Sequence, residues 1–109
     1  MPGTYPAADR TIAIDFGDDG PLGPFSAELS FTGDLTVTFL VTRGALLGKT
    51  ETLPCTAQEV TDGVWLVTWQ EGGNLSVIQV QDFNHGRLMS ANVTDDHQLV
   101  HVNGTLALV

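Results

Sequence analysis

Positive charge is scarce in this chain. Only Arg10, Arg43, Lys49 and Arg87 carry it, against 13 acids among 109 residues, for a net charge of -9. A surface this acidic repels phosphate backbones and anionic membranes, so neither a nucleic-acid partner nor a membrane partner is expected. The same shortage disfavours polyphosphate and nucleotide substrates. A single cysteine, Cys55, excludes an internal disulfide framework. No apolar run approaches the length of a membrane span and no basic-plus-apolar leader opens the chain, so a cytoplasmic location is expected. No stretch keeps a helical period for a dozen residues. There is no Ser-His-Asp order, CxxC pair or phosphate loop, and no cofactor is expected.

What the chain does have is short alternating segments rich in Val, Ile, Thr, Phe and Trp, punctuated by Gly, Asp and Asn. Residues 1–10, with Pro2, Gly3 and Pro6, read as an N-terminal arm, and residues 11–109 read as one domain. Strand-like segments run over 11–16, 26–31, 35–42, 50–60, 64–71, 75–83, 87–94 and 98–109. Pro54 interrupts the fourth, which suggests an edge or a bulge. Short links make neighbouring strands antiparallel. The predicted fold class is all-β, an antiparallel up-and-down β-barrel of about eight strands, with a sandwich as the alternative.

The second half carries Asp62-Gly63-Val64-Trp65-Leu66-Val67-Thr68-Trp69-Gln70-Glu71, then Val77-Ile78-Gln79-Val80-Gln81-Asp82-Phe83, then Asn103-Gly104-Thr105, preceded by Gly48-Lys49. Together these resemble the small MoaF-like proteins, with Trp65 standing where that family usually has tyrosine. The resemblance covers residues 35–106. It implies a lipocalin-like barrel, usually dimeric, and no settled shared chemistry. The family takes its name from a molybdenum-cofactor gene cluster, but that cofactor is an anionic phosphate ester, and this chain has few cations to hold one.

Period-2 alternation proposes an inner face. If Gly72-Gly73 is a two-residue turn, Trp69 opposes Ser76, Val67 opposes Ile78, Trp65 opposes Val80 and Gly63 opposes Asp82. One face of the hairpin then carries Trp65, Val67, Trp69, Glu71, Ser76, Ile78, Val80 and Asp82. Such a face fits a cavity for an apolar small molecule, with the indoles giving apolar area and the carboxylates fixing orientation. The tryptophans equally suit plain filling of a narrow barrel.

Glu71 and Asp82 are the candidate acid–base pair, since burial raises a carboxyl pKa toward neutrality. Asp82 has a structural alternative, bonding to the backbone of the Asn84-His85-Gly86 turn. Tyr5 is a candidate lid with its hydroxyl inward. His97 and His101 would stand about 13 Å apart on one strand face, too far for one metal, so no metal site is expected. Cys55 reads as a buried, inert thiol, and His85 as an exposed turn residue.

The expected function is a biosynthetic enzyme shaping an apolar substrate, such as a cyclase, isomerase or lyase. A non-catalytic carrier and a filled structural barrel are the alternatives. The apolar tail from Leu106 to Val109 and the weak strand at Pro54 suggest a homodimer.

Overall fold

The computed structural model describes residues 4–21 and 23–109. Among them eight strands follow the alternation of the sequence: β1 (Thr11–Asp15), β2 (Ser26–Phe31), β3 (Thr36–Arg43), β4 (Thr50–Thr61), β5 (Val64–Glu71), β6 (Leu75–Asp82), β7 (Arg87–Val93) and β8 (Leu99–Leu108). Each pairs antiparallel with the next, and β8 returns to β1 (Ile12↔Leu108, Asp15↔Thr105), so the sheet closes as an up-and-down barrel. Closure removes the exposed edges that an open sheet would present. No helix among the described residues is long and apolar enough to cross a membrane.

Alternate residues fill the lumen. Ile12, Leu29, Val37, Val67 and Leu88 are among its most deeply buried side chains. Pro54 does not mark an edge. It is the last residue of β4 to pair with β3 (Thr36↔Pro54), and the next residue is the first to pair with β5 (Cys55↔Trp69). A proline at this handover sits where the strand is changing partners, so its missing N–H is tolerated. Leu106 faces the lumen and is buried, so it contributes nothing to an outer partner surface, whereas Leu108 and Val109 are exposed.

In an up-and-down barrel alternate connections share an end. Residues 16–21 with 23–25, 44–49, 72–74 and 94–98 ring one end, and residues 32–35, 62–63 and 83–86 ring the other. Residues 4–10 of the arm close the second end. They are tied down by Phe31 N donating to the Arg10 backbone oxygen at 3.0 Å and by Gly33 N donating to the Asp9 side-chain Oδ1 at 2.7 Å. That fixes Tyr5 inside the lumen, edge-on to Phe31, Trp65 and Phe83 with ring centroids 5.1, 5.3 and 5.9 Å away. Edge-to-face packing of this kind adds to the area that the rings bury. The Tyr5 hydroxyl donates to Gln81 Oε1 at 2.6 Å, across 76 residues of sequence. The hydroxyl does point inward as expected, but the ring plugs the closed end and is not a lid over an open one.

Candidate functional site

The β5–β6 hairpin corrects the expected register. Glu71 pairs with Leu75, Trp69 with Val77, Val67 with Gln79, Trp65 with Gln81, and Val64 (not Gly63) with Asp82. The turn therefore has three residues, Gly72, Gly73 and Asn74, and the last two have positive φ, 77° and 62°. Asparagine is one of the few side chains that tolerates that conformation. One extra turn residue inverts every side chain of β6. Ile78 and Val80 therefore point outward, Ile78 being 38% exposed, and Val77, Gln79 and Gln81 take their places inside.

Asp82 goes outward with them. Its Oδ1 accepts from the backbone N–H of Asn84 and of His85, and its Oδ2 lies 2.8 Å from His85 Nδ1. These bonds hold its pKa below the ordinary value, the contact with His85 most of all. It is a turn-capping residue, separated from Glu71 by the sheet itself, and the two do not form a pair.

The open end holds a cavity of about 170 Å³. Ile14, Phe16, Phe25, Leu29, Phe39 and Val41 make its apolar side, while Gln79, Ser90, Asn92 and Thr94 make a polar side on β6, β7 and the turn after β7. Glu71 and Lys49 also line it. Of the side chains expected at the site, Glu71 alone lines this cavity. Trp65 packs against Tyr5 at the closed end, Val67 is fully buried in the lumen between the two ends, and Trp69 stands behind Glu71.

Glu71 is held by its neighbour two residues back. Trp69 Nε1 donates to Glu71 Oε2 at 3.0 Å. The other oxygen has no hydrogen-bond partner among the described residues. Burial in the cavity wall raises the carboxyl pKa. The Trp69 hydrogen bond opposes that rise, nearby Glu51 adds to it, and Lys49 opposes it. Glu51 is itself engaged, accepting from Gly72 N at 3.0 Å, with Lys49 Nζ 3.8 Å from its other oxygen.

A pH prediction follows for Glu71. A carboxyl whose pKa is raised on folding binds its proton more tightly in the folded state, so stability declines as pH climbs above the ordinary value of 4.5. Glu71→Gln keeps an acceptor for Trp69 Nε1 and removes the titration. In urea melts the variant matches wild type at pH 4 and exceeds it at pH 8. A difference that stays constant between the two would show that Glu71 is not destabilised by burial.

Sequence reasoning missed the polar side of the cavity. Gln79 and Ser90 are 2% and 4% exposed, and Gln81 is fully buried. The signal that could have found them is Asn74, whose position after two glycines favours a three-residue turn and thus the inverted face.

Comparison with known proteins agrees with the barrel. The MoaF-like family matches residues 14–107, and the chain belongs to that family. A crystal structure from Burkholderia vietnamiensis, provisionally named a beta-lactamase, superposes with a TM-score of 0.85 at 22% identity, covering 98% of this chain and 99% of that one. At that identity the likeness is one of fold. No curated protein matches the chain.

Proposed function

We propose that this barrel takes a compact, largely apolar molecule into its open-end cavity and that Glu71 moves a proton on it, as an isomerase or cyclase would. The observation that carries this reading is Glu71 itself, a carboxyl with raised pKa in the wall of a mostly apolar chamber, steadied by Trp69 and with one oxygen free. A carboxylate whose pKa is raised by burial is a stronger base than a free one and is suited to proton transfer. Glu71 would take a proton from one atom of the guest, the electron pair would shift into the guest's π system, and the same proton would return to another atom. Such an isomerisation balances with no co-reactant.

The cavity is small. Engineered cavities of roughly 150 Å³ admit benzene, whereas drug-sized ligands occupy roughly 300 Å³ or more. The guest is therefore of one-ring size. The name carried by the Burkholderia structure does not transfer on this geometry. The chain has no Ser-x-x-Lys arrangement, and no three His, Cys, Asp or Glu side chains among the described residues gather as a metal-binding set.

The test uses cyclohexanone in D₂O. Binding is read from amide shifts in NMR, and proton transfer from deuterium incorporation beside the carbonyl. Wild type is expected to bind and to accelerate exchange. Glu71→Gln is expected to bind equally and lose about a hundredfold of the exchange rate. Binding without Glu71-dependent exchange would leave a carrier, and a cavity that takes no one-ring molecule would leave a filled structural barrel.

A further inference from the structure

Resting on the guest site proposed above, we infer that its guest is an uncharged carbonyl compound, whose oxygen is received by the side-chain NH₂ groups of Asn92 and Gln79. The inference starts from a hydrogen-bond file along the lumen. The buried Tyr5 hydroxyl donates to Gln81 Oε1, and Gln81 Nε2 donates to Gln79 Oε1 at 2.9 Å. A tyrosine proton buried in that plug needs an acceptor, and supplying it orients both amides. Their oxygens are spent toward the closed end. The last group in the file is the NH₂ of Gln79, which lines the cavity and donates to no described residue; since no buried side-chain nitrogen or oxygen among the described residues lacks a partner, this NH₂ is open to the cavity's solvent.

A second, separate pair ends the same way. Ser90 Oγ donates to Asn92 Oδ1 at 2.9 Å, which leaves the Asn92 NH₂ facing the cavity, also with no acceptor among the described residues. The chamber thus presents two amide donors from adjacent strands and no amide acceptor to match them. A guest that fills the cavity displaces water from these donors, and leaving one unmet then costs about 1–3 kcal/mol, so a guest that brings an acceptor is favoured over one that does not.

Charge narrows the acceptor. Lys49 is the only cation that lines the cavity among the described residues, and it lies beside Glu51. Glu71 in the wall and the net charge of -9 oppose a carboxylate or phosphate guest. Donor NH₂ groups oppose a cation. A neutral carbonyl oxygen satisfies all of these conditions, and Phe16, Phe25 and Phe39 supply the apolar side for its ring or chain.

The ladder places the two ends of such a guest. Asn92 pairs with Val77, and Val77 pairs with Trp69, whose indole holds the Glu71 carboxyl. Two strand spacings, about 10 Å at the backbone, separate these side chains. A carbonyl at the β6–β7 side therefore leaves the rest of the molecule directed toward Glu71.

The experiment compares cyclohexanone with methylenecyclohexane, in which C=CH₂ replaces C=O, and with cyclohexanecarboxylate. Titrations are followed by NMR, including the side-chain NH₂ signals of Asn92 and Gln79. Wild type is expected to bind the ketone about tenfold more tightly than the alkene, with a downfield shift of those NH₂ protons. Asn92→Leu removes one of the two donors and is expected to narrow the preference to about threefold. Should that variant fail to fold, Asn92→Asp keeps the acceptor for Ser90, removes the same donor and is expected to narrow the preference likewise. Equal binding of ketone and alkene by wild type, a preference undiminished in both variants, or carboxylate binding as tight as the ketone overturns the inference while leaving the guest site intact. Binding of none of the three overturns the guest site as well.

Discussion

Replacing Tyr5 with alanine lowers the stability of the barrel by about 3–5 kcal/mol, as expected for deletion of a large ring from a packed interior. A domain of this size is stable by roughly 5–15 kcal/mol, so the variant stands near its unfolding threshold. The ring fills the closed end against Phe31, Trp65 and Phe83, and its hydroxyl satisfies Gln81. Tyr5→Phe keeps the ring and loses only the bond, so it costs less, about 1–3 kcal/mol. Urea denaturation of the three proteins measures both differences. A cost below about 1 kcal/mol for Tyr5→Ala would mean that the arm does not hold the plug in solution.

The same residue carries a signature in alkali. Burial raises the Tyr5 pKa far above its ordinary value of 10.0, nearby Cys55 adds to the rise, and the Gln81 bond opposes it. The neutral form is thus favoured in the folded state. Its contribution is whole below pH 10 and is lost as pH rises beyond that. Tyr5 is the one tyrosine of the chain, so tyrosinate absorbance reports on it alone. It should emerge only together with unfolding, and Tyr5→Phe should remove that part of the alkaline decline.

The second large effect is expected at the seam where the barrel closes. A Cβ added to Gly104 would lie 2.4 Å from the carbonyl oxygen of Asp15 and 2.8 Å from Phe16 Cδ1. Side-chain carbon and backbone oxygen do not approach so closely, and a backbone atom cannot swing aside. Gly104→Ala must push β1 away from β8, at a cost of about 3 kcal/mol. Gly72→Ala is the control, because its nearest neighbour is the flexible end of Glu51 at 3.1 Å. Calorimetric melts should show a large drop for the first and little for the second. Similar drops for both would mean that the seam is not the tight point.

Much of this architecture was legible in the alternation of apolar residues. Ile12 and Ile14, Ala27, Leu29 and Phe31, and Val37, Phe39 and Val41 all line the lumen as their spacing implied. Closure was legible too, because eight short strands with short links leave few other ways to cover their edges. The face of β6 was not. Along Ile78–Gln81 apolar and polar residues alternate, so burying Ile78 and Val80 looks better than burying Gln79 and Gln81. The inner face is polar because Tyr5 arrives from 76 residues away to complete its bonds. No local pattern encodes that partner. Glu71 could be found because it follows Trp69 at strand spacing, whereas Asn92 and Ser90 could not, because their value lies in donors left over after pairing with each other.

The plug at one end has a kinetic meaning. With Tyr5 seated among three aromatic rings, the described residues leave the barrel open at the other end, so a guest of the kind proposed above would leave by the way it came. Its arrival and departure would then pass the same connections, including Leu46 beside the cavity. On that reading, substitutions at the rim would alter the rates of capture and release together, while substitutions at the plug alter how firmly the barrel is built.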